Sequence, residues 1–197
     1  MGYPKPLEDL IGELKKLPSI GRVTAERLAF YLLNQPQEEV EKLSRAIGGI
    51  KRKIHHCKIC YNFTEEDICE ICRDPRRDHK IICTVSHPQD LLKIEKTGYS
   101  GLYHVLGGLI SPLDNVSPEN LHIEELLQRL KTGEVKEVIL ALDPKVEGEA
   151  TTMYLVRKIK PLGVKATQIA RGIPVGKDLE LTDELTLRRA IQGRVEI

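Results

Sequence analysis

Apolar positions follow two different rhythms along the chain. Up to residue 54 they recur every three or four places: Leu7, Leu10, Ile11, Leu14 and Leu17, then Ala25, Leu28, Ala29, Leu32 and Leu33, then Val40, Leu43, Ile47 and Ile50. A repeat of that length lines one side of a helix. It predicts helices over 7–17, 24–33 and 37–54, broken by Pro18-Ser19-Ile20-Gly21 and by Gln35-Pro36. Gly48-Gly49 weakens the middle of the third by about 1 kcal/mol per glycine. From residue 81 onward, short unbroken apolar runs alternate with helical spacing. Strands are expected over 81–85, 103–106, 135–142 and 164–170, and helices over 88–96, 122–131, 148–159 and 182–192. A loop rich in Gly, Pro and Asn spans 107–118. Strands alternating with helices require crossover connections, hence a mainly parallel sheet covered on both faces.

Between the two rhythms lies Cys57-Lys58-Ile59-Cys60, then eight residues, then Cys69-Glu70-Ile71-Cys72. Each C-x-x-C turn can offer two sulfurs to one ion, and two such knuckles close a four-thiolate zinc site. Such a site has no open coordination position, so Zn²⁺ here is expected to be structural. The alternatives are a redox pair, two disulfides or four unpaired thiols. The fifth cysteine, Cys83, sits in the run Ile81-Ile82-Cys83-Thr84-Val85 and reads as a buried strand residue.

Composition narrows the picture by exclusion. The net charge is only +1 although 30% of residues are charged, so any nucleic-acid footprint must be local. Aromatics are 4% with no Trp, a poor supply for stacking single-stranded bases. No apolar run approaches a membrane span, and Met1-Gly2-Tyr3-Pro4-Lys5 is not followed by a signal-peptide core, so a cytoplasmic protein is expected.

Leu17-Pro18-Ser19-Ile20-Gly21-Arg22-Val23-Thr24-Ala25 looks like the turn of a helix-hairpin-helix. Gly21 would allow a tight turn and a close backbone approach to a phosphate. The next helix would then present its N-terminal amides, with Arg22 and Arg27 adding charge. Such contacts hold a phosphate backbone without reading sequence. A plain helical corner also uses Pro and Gly. Lys51, Arg52 and Lys53, with His55 and His56, lead into the first knuckle, and Arg73, Arg76 and Arg77 leave the second. This cluster reads either as a phosphate-facing surface or as a solvated helix end.

The order of these motifs resembles the bacterial recombination mediator family RecR: a helix-hairpin-helix, a four-cysteine zinc finger, a Toprim-type α/β domain and a C-terminal helical segment. The stretches that carry the resemblance are 97–108 (TGYSGLYHVLGG), 110–114 (ISPLD), 147–151 (EGEAT) and 169–176 (IARGIPVG). The implied organisation is an α+β chain in four parts: residues 1–54, 55–78, 79–174 and 175–197, the last a Walker-B-like segment with its helix. The resemblance implies a non-enzymatic DNA-repair protein that binds single- and double-stranded DNA and assembles as a homotetrameric ring. With RecO, and in some settings RecF, it helps load RecA onto strands coated by single-strand-binding protein. It implies that the acidic face carrying Asp143, Glu147 and Glu149 binds RecO.

The residues also suggest an alternative, a magnesium-dependent Toprim nuclease or primase-like enzyme. Toprim enzymes use a glutamate after the first strand and an Asp-x-Asp pair after a later one. Here the first strand runs into Ser86-His87-Pro88, and the later one into Asp143-Pro144-Lys145, with lysine at the second aspartate position. Gly172-Ile173-Pro174-Val175-Gly176-Lys177-Asp178 lacks the spacing and the Ser/Thr of a phosphate-binding loop. The chain departs from the family at Val23, where a lysine implied in DNA binding is usual, at Lys177 for glycine, at Leu181 for an aromatic residue and at Asp143 for asparagine.

Overall fold

The first unit is built by three helices: α1 (Lys5–Leu14), α2 (Arg22–Leu33) and α3 (Gln37–Lys53). The structure, a computed structural model, describes residues 2–195 and divides the chain into two units, Met1–Ile54 and His55–Ile197. α1 ends at Leu14, a turn earlier than the apolar spacing predicts. Lys16 and Leu17 bond back only three residues, to Glu13 and Leu14, and Leu17 is 50% exposed. Pro18 is the cause, since proline disfavours helical geometry in the residue before it. α1 and α2 bury Ile11, Ala25 and Ala29, with Leu7, Leu10, Leu14 and Ile20 packed around them. α3 runs through Gly48 and Gly49 without a break, yet none of its residues is buried. Leu43, Ile47 and Ile50 along it are all exposed.

The second unit opens with a two-residue hairpin, β1 (His55–His56) paired antiparallel to β2 (Phe63–Thr64), and a single turn of helix, α4 (Glu70–Arg73). These frame the cysteines. An α/β layer structure follows: β3 (Asp78–Val85), α5 (Pro88–Glu95), β4 (Gly101–Val105), α6 (Ile123–Lys131), β5 (Glu137–Ala141), α7 (Val146–Ile159), β6 (Lys165–Gln168) and α8 (Glu184–Gln192). The sheet order is β4-β3-β5-β6 and all three pairings are parallel.

Alternation along the strands makes two cores, as a sheet buried on both faces requires. Ile82, Leu102, Val138 and Leu140 face α6 and α7, joining Leu126, Leu130, Leu155 and Ile159. Cys83, Val85, Tyr103, Val105 and Ala141 face the other way with Leu91 of α5, and Tyr61 and Ile71 from the cysteine-rich segment pack onto that same layer. Cys83 is therefore the buried strand residue that its apolar surroundings suggest.

α7 starts two residues earlier than its apolar spacing indicates, so Glu147 lies in its first turn. The reason is contact. Gly148 lies so close to the end of β5 that a Cβ there would stand 1.9 Å from the Asp143 carbonyl oxygen. Backbone cannot yield as a side chain can. Gly148→Ala should therefore lower unfolding stability by about 2–4 kcal/mol in urea titrations of zinc-loaded protein. A change within about 0.5 kcal/mol would contradict this packing.

Candidate metal centre and nucleic-acid interface

The first knuckle closes where Tyr61 N bonds Cys57 O at 3.0 Å, with Tyr61 itself left-handed at φ 64°. The second places Cys69 at the N-cap of α4, with Arg73 N bonding Cys69 O at 3.1 Å. The four sulfurs of Cys57, Cys60, Cys69 and Cys72 lie within 4.8 Å of one another. A zinc tetrahedron with metal–sulfur bonds near 2.3 Å sets its sulfurs about 3.8 Å apart. The Cys60 and Cys69 sulfurs are 3.5 Å apart, far beyond a disulfide bond, and all five cysteines are free thiols. Backbone amides of Ile59 and Cys69 donate to the Cys57 sulfur at 3.5 and 3.3 Å, as they would to a thiolate. The donor set, its spacing and its burial fit zinc. Crowding makes the thiols compete for ionisation. The hydrogen bond with Cys69 pushes Cys60 up, that with Cys60 pushes Cys72 up, and Cys69 is pulled down. Zinc, which needs all four as thiolates, must displace protons to bind.

The cysteine-rich segment is set against β4, an edge strand whose outer side would otherwise present unpaired backbone groups. Three of these are met from outside the sheet. The Gly101 carbonyl accepts from Arg77 at 3.3 Å, the Tyr103 carbonyl from Arg129 at 2.8 Å, and the Val105 amide donates to the Cys60 carbonyl at 2.8 Å. Arg77 also pairs with Glu95 and bonds the Tyr99 carbonyl at 3.0 Å. Tyr61 stacks flat on His122, ring centroids 3.6 Å apart. His104 is fully buried beneath, its pKa held down at about 3 by burial and by Arg129 beside it. Arg129 can only donate to His104 Nδ1, so His104 Nε2 carries the proton and donates to the His122 carbonyl at 2.6 Å.

In the first unit Gly21 is the N-cap of α2, which has no side-chain cap. Its φ of −81° is ordinary, so it does not supply the turn's special conformation as expected; Ser19, at φ 64°, does. What Gly21 provides is space, since a Cβ there would meet nothing within 4 Å. Arg22 is exposed and bonds Glu26 one turn on at 3.0 Å. Arg27 is exposed too. The two arginines lie five positions apart, about 140° around the helix, so they flank α2 and do not form one stripe. Lys51, Arg52 and Lys53 occupy the last turn of α3, where cations offset the helix dipole.

The three arginines leaving the second knuckle diverge. Arg77 is committed to the β4 edge. Arg76 grips Asp74 through two bonds of 2.9 Å, and Arg73 is exposed with no ion pair among the described residues.

Asp143, Glu147 and Glu149 gather at the C-terminal end of β5, adjacent to the end of β3 by the Val85–Ala141 register. They are not equivalent. Asp143 faces Lys145 at 3.6 Å, the lysine that replaces the second aspartate. Glu147 is half-buried, without an ion pair among the described residues. Glu149 accepts from Arg171 and, at 3.2 Å, from Arg189, which ties α8 and the segment after β6 to α7. Arg171 lies in the 169–176 stretch, but nothing in the sequence pairs either arginine with Glu149, which is 22 and 40 residues away. Among the described residues the cysteines are the one group of three or more Cys, His, Asp or Glu side chains that converges on a common point.

Four family models match the chain in succession: RecR helix-hairpin-helix at 7–50, the RecR four-cysteine zinc finger domain at 54–74, Toprim domain at 80–170 and RecR C-terminal at 172–195. The chain is 50% identical over 193 residues to the recombination protein RecR of Tropheryma whipplei (strain TW08/27), spanning 98% of each. It is 51% identical over 197 residues to that of Bifidobacterium longum subsp. infantis, spanning all of this chain and 98% of the relative. The chain belongs to the RecR family. Its four cysteines form the family's zinc finger, and zinc is its structural cofactor. In this RecR-family chain no described helix is long and apolar enough to cross a membrane.

Because the zinc finger has almost no apolar core besides its cysteines, chelation should lower the thermal midpoint of the second unit by about 10 °C or more. Retained zinc should also fall as pH falls, since protons compete for the thiolates. Calorimetry with parallel zinc quantification checks both, and an unchanged midpoint after complete zinc removal would contradict a scaffold role.

Proposed function

We propose that this chain is a non-enzymatic recombination mediator in DNA repair. It binds DNA without sequence preference and, with RecO and in some settings RecF, promotes RecA loading onto single strands coated by single-strand-binding protein. The observation that carries this reading is the unbroken series of four family matches across the chain, with about half of all residues identical to proteins named for recombination.

The geometry supports a division of labour. The uncapped start of α2, with open space at Gly21 and exposed Arg22 and Arg27, suits a phosphate backbone. Val23, where the family carries a lysine, is 80% exposed beside them and contributes no charge. Lys51, Arg52 and Lys53 supply a second basic turn on α3. Exposed Leu43, Ile47 and Ile50 on α3, and Leu185 and Ile191 on α8, leave apolar surface for self-association into the ring tetramer. A ring repeats these modest charges, and repetition raises avidity without raising net charge per chain.

Asp143, exposed beside Lys145, and half-buried Glu147 are the acidic groups that would meet a partner such as RecO. Glu149 serves in part to hold α8, so its removal would disturb the fold as well. Lys145 beside Asp143 suits a protein contact better than a magnesium site, which gathers oxygen ligands.

DNA affinity should fall steeply with salt and vary little with sequence. Arg22→Ala with Arg27→Ala should weaken binding at least about tenfold and flatten the log–log salt dependence by about two phosphate contacts, with zinc content unchanged. A salt-independent affinity, or full binding by the double variant, would count against this interface. The test of the function is RecA loading on protein-coated gapped DNA with and without RecO. Asp143→Ala with Glu147→Ala should lose the stimulation but keep DNA binding. Magnesium-dependent nicking abolished by Asp143→Ala would establish an enzyme instead.

A further inference from the structure

A zinc ion held by four thiolates carries a net double negative charge. In this chain that charge is set in a largely buried position, with Cys57 and Cys60 fully covered and Cys69 nearly so. The two amides at the Cys57 sulfur offset only part of it. An enclosed anion of this kind needs a nearby cation or it resists forming.

Among the surrounding cations Arg73, next to Cys72, is exposed to solvent, and one other candidate lies close to the sheet. Lys58 is turned outward to Asp67 at 2.7 Å, Arg77 is neutralised by Glu95, and Arg76 by Asp74. Arg129 alone reaches under the finger from α6, which belongs to the opposite face of the sheet. Its guanidinium is fixed by the Tyr103 carbonyl at 2.8 Å and by neutral His104 at 3.2 Å, and it forms no salt bridge with a carboxylate among the described residues. Two residues beyond Tyr103, Val105 bonds the carbonyl of the zinc ligand Cys60. Tyr61, next to that ligand, meets the His104 ring edge-on at 5.7 Å. Burial works against the charge on Arg129, and the four cysteine sulfurs work to keep it. A half-buried guanidinium with no carboxylate partner is costly unless an anion lies nearby, and zinc-bound thiolates would supply one.

We infer that Arg129 is the counter-charge of the zinc centre: it balances the thiolates from beneath and so slows loss of the metal. It does not touch the metal; it acts through the field at the sulfurs and through the β4 backbone that bears on Cys60. The role is one of retention, distinct from the coordination supplied by the cysteines.

The test is zinc transfer from the purified full chain to a chromogenic chelator at neutral pH, followed as a rate. Arg129→Gln keeps a donor for the Tyr103 carbonyl but removes the charge. Arg129→Lys keeps the charge but loses the forked geometry. Outer partners of metal sites commonly contribute 10- to 100-fold to metal affinity. Arg129→Gln should accordingly release zinc about tenfold faster than the native chain. Arg129→Lys should stay within about twofold, even where its thermal midpoint drops. If Arg129→Gln releases zinc at the native rate, Arg129 serves only the strand edge and the inference is overturned. Should Arg129→Gln fail to fold, Arg129→Lys decides alone, because accelerated release with the charge still present contradicts the counter-charge role.

Discussion

An open sheet leaves one side of each edge strand unpaired; in this chain the edges are β4 and β6, and β4 is the one that borders the cysteine-rich segment. Much of the second unit can be understood as the answer to that constraint. Gly101 and Tyr103 give their carbonyls to two arginines, and Val105 gives its amide to the Cys60 carbonyl. The zinc finger thereby becomes the border of the sheet. It is too small to hold itself together by apolar burial, and its four sulfurs do that work through the metal. In return it covers the strand, stacks Tyr61 on His122 and adds Tyr61 and Ile71 to the core beside α5. Metal and sheet are one cooperative structure, which is why the four-cysteine motif here belongs to architecture more than to recognition.

At the other end of the strands the same economy of contacts shapes the acidic face. Gly148 lets α7 start against the Asp143 carbonyl, and that approach brings Glu147 and Glu149 to the end of β5. Glu149 is then held by Arg171 and Arg189 and so anchors the C-terminal segment, while Asp143 is exposed and Glu147 half-buried. A lysine beside Asp143 further changes the character of a strand end that in Toprim enzymes gathers carboxylates around magnesium.

How much of this was legible beforehand depends on the range of the interaction. Helices and strands were legible because burial imposes a period, and the zinc site because one ion dictates the spacing of its ligands. α1 was read a turn too long since Leu17 continues the apolar rhythm while Pro18 ends the helix. The β1–β2 hairpin is two residues per strand, too short to show a period, and exists because the knuckles bring its ends together. The left-handed conformation of this turn belongs to Ser19 and not to Gly21, because glycine is only the commonest left-handed residue and not a marker of one. Arg77, Arg129, Arg171 and Arg189 act on partners 18 to 40 residues away; Arg77 reads only as one of a basic cluster and Arg171 only as part of the 169–176 stretch, and nothing local points to any of the four partners.

The dependence of the sheet edge on the metal can be followed at a single amide. Hydrogen exchange of the zinc-loaded chain should show the Val105 amide well protected. After chelation that protection should be lost together with the Tyr61 amide, while Ile82 to Val85 on the interior strand β3 remain slow. A Val105 amide that stays protected once zinc has gone would contradict the account.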